Sequence, residues 1–186
     1  LFTGAGTVYL EGDLRPGNSP NTLAFEGNVV LGPTTESVFE IAGADVELYD
    51  RLMIDGNLSL NGSLTVELID GFQLAPGQQF VIAEVAGNLA GQFVGLADDS
   101  LVGTFNGQDL FISYSAGDGN DIALYTATSP TLLGDVNLDG VVNLLDVDPF
   151  IERIASGTFQ AEADCNQDGI VNLLDVNAFV TILSAG

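Results

Sequence analysis

RLMIDGNLSLNGSLTVELIDG, residues 51–71, alternates aliphatic and polar side chains in short bursts broken by glycine and asparagine. Leu58 and Leu60, then Leu64, Val66 and Leu68, fall on one face, with Ser59, Thr65 and Glu67 on the other. A period of two marks a β-strand with one buried side. Glycine supplies the corners, because a residue without Cβ tolerates positive φ. The same texture continues in both directions through TVYLEG (7–12), TLAFEGNVVLG (22–32), SVFEIAG (37–43), QQFVIAEVAG (78–87), DLFISYSAG (109–117) and DIALYTA (121–127). No segment before residue 128 repeats apolar side chains at i, i+3 and i+4 over three turns, so this region reads as all-β. EGNVVLG (26–32) returns as DGNLSLNG (55–62), an echo that stacked coils of chain would produce. The expectation for residues 1–128 is a β-rich structural domain, with stacked coils of chain as one arrangement. A β-sandwich is the alternative, since seven strand candidates would also fill one.

The texture changes at SPTLLGD (129–135), where Pro130 interrupts strand pairing. Residues 129–133 read as a linker and 134–186 as a small α module. Within that module DVNLDGVVNLLD (135–146) recurs as DCNQDGIVNLLD (164–175). Each copy carries D-x-N-x-D-G, with oxygen-bearing side chains at alternate positions, the front half of a calcium loop. Calcium takes about six to eight hard oxygen ligands, and this spacing curls a chain around the ion. The expected ligands of one ion are Asp135, Asn137, Asp139, the Val141 carbonyl, Asn143 and Asp146. Those of a second ion are Asp164, Asn166, Asp168, the Ile170 carbonyl, Asn172 and Asp175. Gly140 and Gly169 make the sharp turns. The last position is Asp in both copies instead of the usual Glu, which demands a tighter loop. A short amphipathic helix follows each loop: Val147 with Ile151 and Phe150 with Ile154, then Val176 with Val180 and Phe179 with Leu183.

Residues 134–184 resemble a type I dockerin, the duplicated calcium-binding module that docks onto cohesin domains in cellulosome-like assemblies. The resemblance implies two Ca2+ ions, no catalytic role for the module and a protein partner. It also implies that the positions after Asn143 and Asn172, with the following helix, shape recognition. Here these are Leu144–Leu145 and Leu173–Leu174, and helix positions that are often basic in cellulosomal members are Ile151–Glu152 and Val180–Thr181. Leu145 and Leu174 are expected in the core. PGNSPNTLAFEGNVVLG (16–32), YDRLMIDGNLSLNGSLTVELIDGF (49–72) and GDGNDIALYT (117–126) resemble the β-helical regions of autotransporter-type bacterial surface proteins. That resemblance implies a right-handed β-solenoid (β-helix) fold and display at a bacterial cell surface without inherent catalysis.

Composition narrows the function further. The chain has 26 Asp and Glu against 3 Lys and Arg, a net charge of −23, and no His. Such a surface repels phosphate backbones and anionic lipid, so nucleic acid is excluded as a partner, and no apolar run is long enough for a membrane span. Without His or Lys, the usual bases for a serine or cysteine nucleophile are missing. Paired carboxylates, as in glycoside hydrolysis, are the one catalytic route left open. The single cysteine, Cys165, cannot form an internal disulfide and is expected to be inert in a hydrophilic loop. A first residue other than Met, with no leader pattern, fits a processed product or fragment of an exported protein. The expectation is a non-catalytic extracellular calcium-binding structural or adhesive protein. It would assemble through its C-terminal module, with itself as a filament subunit or with a cohesin-like domain. The alternative is a cohesin-docking or carbohydrate-binding component of a larger polysaccharide-degrading complex.

Overall fold

The computed structural model describes residues 1–16, 20–128 and 132–185. The chain divides into two compact units, Leu1–Thr128 and Ser129–Gly186. Pro130 and most of the expected linker lie outside the described residues.

Unit 1 is mainly β. Its strands are β1 (Thr7–Leu10), β2 (Asp13–Leu14), β3 (Thr22–Phe25), β4 (Asn28–Leu31), β5 (Glu36–Ile41), β6 (Arg51–Ile54), β7 (Leu58–Leu60), β8 (Ser63–Leu68), β9 (Gln79–Val85) and β10 (Leu89–Gly91). β11 (Leu101–Phe105), β12 (Gln108–Ala116) and β13 (Asp121–Thr126) complete it. The first ten strands visit three sheets in fixed rotation: β1, β4, β7 and β10 in one, β2, β5 and β8 in the second, β3, β6 and β9 in the third. Every pairing among these ten is parallel. The third sheet then continues antiparallel through β13, β12 and β11.

The long apolar bursts of the sequence therefore break at each Gly-Asn corner and feed different sheets. Leu58 and Leu60 lie in β7, whereas Leu64, Val66 and Leu68 lie in β8, so they share a core and not a sheet face. Each corner stacks on the one before. The Asn57 side-chain oxygen accepts the Asn88 backbone N–H at 2.8 Å, and that of Asn28 accepts the Asn57 N–H at 2.9 Å. These links span 31 and 29 residues of chain. A Cβ added at Gly56 would stand 2.6 Å from the Gly27 carbonyl carbon, so only glycine allows the corners to approach so closely. The third copy of the corner, AGN (86–88), was legible only as part of the longer QQFVIAEVAG burst.

Inward side chains form a continuous core in which Phe25, Phe39, Phe80, Ile41, Ile82 and Leu110 are fully buried. One buried acid is structural: the Asp50 carboxylate accepts the N–H groups of Asn21 at 2.8 Å and Glu40 at 2.9 Å, tying neighbouring circuits together. The GDGND stretch is the turn joining β12 to β13.

Unit 2 holds two helices, α1 (Val147–Ser156) and α2 (Val176–Ala185), each preceded by a 3-10 turn, Leu144–Asp146 and Leu173–Asp175. Gly157, with φ 64°, ends α1 in a left-handed cap. Phe150 and Phe179 stack with ring centroids 4.0 Å apart, at the middle of a small core with Val136, Ala163, Cys165 and Val171. Neither helix could bury its aromatic alone. Pairing the repeats solves this for both.

Candidate metal centre

The two loops of unit 2 fold alike, bond for bond. In the first, the Asp135 carboxylate accepts the N–H of Asp139 at 3.1 Å and of Gly140 at 2.9 Å. In the second, Asp164 accepts from Asp168 at 3.1 Å and Gly169 at 2.9 Å. Asn137 and Asn166 accept the N–H two residues on, and Asp139 and Asp168 do the same to Val141 and Ile170. A short polar side chain that bonds the backbone two residues ahead curls the chain locally, and here it does so at every other position. Leu138 and Gln167 take φ of 61° and 60°, followed at Gly140 and Gly169 by 86° and 87°.

The closing residues bring the loop ends together. Asp146 accepts the N–H of Asn137 at 3.0 Å and of Asn143 at 2.9 Å, while Asp175 accepts from Asn166 at 3.1 Å and Asn172 at 2.8 Å. Asn143 and Asn172 each cap the following 3-10 turn, their side chains accepting from Leu145 and Leu174 at 2.7 Å. Gly134 donates to the Glu162 carbonyl at 2.8 Å, so the starts of the two loops are stitched to each other.

Asp146 and Asp175 are fully buried, and Asp135 and Asp164 are 5% and 6% exposed. Four buried carboxylates are costly unless cations or several donors meet them. Among the described residues the ion pairs, Arg15–Glu67 and Arg51–Glu84, both lie in unit 1. Each carboxylate oxygen has spare acceptor capacity beyond one N–H. The donor set is thus all oxygen, anionic and cation-free, which fits a hard divalent ion such as calcium. Among the described residues no three His, Cys, Asp or Glu side chains gather into a metal cluster by themselves. The loop's donors are instead spread over carboxylates, Asn amides and the exposed Val141 and Ile170.

Two expectations are corrected here. Leu145 and Leu174 are not core residues: they are 68% and 70% exposed, beside Leu144 and Leu173 at 77% and 75%. The 3-10 turn directs its acid inward and leaves both leucines outside, reversing what hydropathy alone suggests. Cys165 is buried, not set in an open loop. Burial, reinforced by the neighbouring charges of Asp175 and Asp164, pushes its thiol up to about 11. Along the helices Phe150 and Phe179 face inward as the spacing predicts, whereas Ile151 and Val180 are exposed. A largely apolar groove of about 350 Å³ runs between α1 and α2, lined by Val147, Ile151, Ile154, Val176 and Val180.

The family comparison meets this geometry directly. Residues 133–180 match the model of the Dockerin type I domain. The dockerin match takes in both loops, α1 and the first half of α2. Neither the curated proteins nor the solved structures contain a match to the chain. The likeness of residues 1–128 to autotransporter-type regions therefore receives no support from any comparison. In unit 1 a shallow cavity of about 300 Å³ is lined by Asp55, Glu84, Asp118 and Asp121. Two of these acids are engaged elsewhere, Glu84 with Arg51 and Asp121 with the Val85 N–H. No helix among the described residues is long and apolar enough to cross a membrane.

Proposed function

We propose that this chain is a non-catalytic extracellular binding protein that uses a calcium-loaded dockerin module to attach its β unit to a protein partner of cohesin type. The observation that carries this reading is the pair of loops with matching hydrogen-bond patterns, whose buried carboxylates meet no protein cation among the described residues. In it, one Ca2+ is held by Asp135, Asn137, Asp139, the Val141 carbonyl, Asn143 and Asp146. The second is held by Asp164, Asn166, Asp168, the Ile170 carbonyl, Asn172 and Asp175. The ions neutralise the loops and set the 3-10 turns, and these turns present Leu144, Leu145, Leu173 and Leu174 to solvent. Four exposed leucines on a domain this small mark an interaction surface.

Unit 1 is read as a three-sided β-solenoid, supported by strands that rotate through three parallel ladders and by the stacked Gly-Asn corners. A sandwich built from hairpins would pair its strands antiparallel. The solenoid serves as a displayed, passive body. Catalysis is not assigned to it, since acids of the carboxylate-lined cavity described above are partly committed to structural bonds. Filament growth by end-on stacking of unit 1 is the weaker reading. β11–β13 occupy the place of the next strand on one of the three sides, so a following copy could not continue all three ladders.

The test is capture on an immobilised cohesin domain. With millimolar calcium the chain is retained, and with chelator it elutes. Replacing Leu144, Leu145, Leu173 and Leu174 together by Ser abolishes retention while calorimetry still counts two ions. Retention that survives chelation, or that ignores the four leucines, removes the proposal.

A further inference from the structure

The outer face of the six-stranded sheet in unit 1 carries a row of aromatic and aliphatic side chains. Along β12, Leu110, Ile112 and Tyr114 are buried in the core, so Phe111, Ser113 and Ser115 point the other way. Along β13, Ile122 and Leu124 face the core, which leaves Asp121, Ala123 and Tyr125 on the outer side. The register lines up Leu101, Phe111, Tyr125 and Gln79 across four strands. Phe111 and Tyr125 stack with ring centroids 5.7 Å apart and 28° between their planes. The Tyr125 hydroxyl donates to the Asp99 carboxylate at 2.8 Å, which fixes that ring in place.

The next row on the same face is made of smaller side chains. Ser113 pairs with Ala123, and Ala123 with Val81. Ala123 is 0% exposed although it lies on the outer side, so it floors a trough. The hydroxyls of Ser113 and Ser115 lie 3.3 Å apart along it. Beyond them is the cavity of about 300 Å³ lined by Met53, Asp55, Glu84, Ala86, Asp118 and Asp121. From Tyr125 to Asp121 is four residues of strand, a span of about 13 Å. Glu84 is committed to Arg51 and Asp121 to the Val85 N–H, whereas among the described residues Asp55 and Asp118 accept no hydrogen bond through their side chains.

We propose that this face is a binding surface for an uncharged, extended polysaccharide. A sugar ring offers a flat face of C–H groups bordered by hydroxyls, and the strip supplies a partner for each. Phe111 and Tyr125 take the C–H face. Asp55 and Asp118, which can only accept, take hydroxyl protons. Ser113 and Ser115 both donate and accept, which suits a hydroxyl and not an ammonium group, a donor alone. Acidic glycans are repelled, because the guanidinium that reaches the cavity wall, Arg51, is already paired with Glu84. The contact belongs to unit 1 and does not rest on the calcium module or its protein partner.

The probes are cellohexaose, xylohexaose and mannohexaose, each titrated calorimetrically into the full chain. At least one binds saturably, equally with calcium and with chelator, and with the same affinity from about 0.1 to about 1 M salt. Phe111→Leu and Tyr125→Leu keep apolar volume but remove the flat ring, and each weakens binding at least about tenfold. Ser113→Val narrows the trough and weakens binding as well, and it serves should a leucine variant fail to fold. No binding of any of the three, or binding that ignores all three substitutions, overturns the proposal. Binding of a glucosamine hexamer alone would make this a cation site and overturn it too. So would release of shorter sugars, since the cavity would then be catalytic. Cohesin capture reports only on unit 2, so the two readings fail separately.

Discussion

Unit 1 and unit 2 solve the same problem, burying apolar surface while satisfying the backbone, by opposite means. Unit 1 pairs its backbone groups with the next strand over and fills the interior with large side chains such as Phe25, Phe39 and Phe80. Unit 2 has two ten-residue helices around a core of six buried residues among those described, and much of its remaining backbone is held by Asp and Asn side chains. Short isolated helices are marginal in water, and a core that small adds little. The cohesion of unit 2 is thus lodged in buried carboxylates that backbone N–H groups meet and that the proposed calcium ions would neutralise.

The largest effect that would break this contrast is metal removal. Chelation should unfold unit 2, with loss of helical circular dichroism, and leave the β signal and thermal transition of unit 1 unchanged, because ion binding is folding free energy here. Cys165, buried in the folded module, should then react with a thiol reagent. With calcium it should stay protected by burial and react far more slowly. A helical signal indifferent to chelator would put unit 2 in the same class as unit 1.

Single ligands come next. Asp146→Ala or Asp175→Ala removes both the proposed ligand and the acceptor that closes the loop. Loss of a supporting contact to a ligand already costs about 10–100-fold in affinity, so the affected site should weaken by more than about 100-fold. Asp135→Ala and Asp164→Ala should behave similarly. Asp98→Ala and Asp99→Ala, in unit 1, should leave calorimetric affinity unchanged.

Core substitutions sharpen the comparison. Phe150→Ala breaks the one aromatic stack of unit 2 and should cost about 3–5 kcal/mol, enough to leave that module largely unfolded at low calcium. Gly56→Ala in unit 1 should cost about 1–3 kcal/mol through the forced contact with Gly27, read as a lowered unit 1 transition with unit 2 unaffected. Leu145→Ser is the smallest change. At 68% exposure it should shift stability by about 0.5 kcal/mol or less while still weakening capture by a partner.

Much of this molecule can be read from residues taken in order. Period two in LSL and SLTVEL states strand, and the glycine between them states corner. D-x-N-x-D-G, twice and in step, states loop, because Asx side chains act on backbone groups only two to five residues away. Such local physics needs no knowledge of the rest of the chain. Three things needed the assembled fold. One is that Leu58 and Leu64 serve different sheets, which depends on where the chain turns in space. A second is that Leu145 and Leu174 face solvent although they are leucines. The 3-10 turn has room inside for one side chain, and the acid that accepts two N–H groups takes it. The third is the place of β1 at the end of its ladder among the described residues. An edge is a property of what lies alongside a strand, and nothing in TVYL distinguishes it from NVVL until the ladders are stacked and one of them is found at the end.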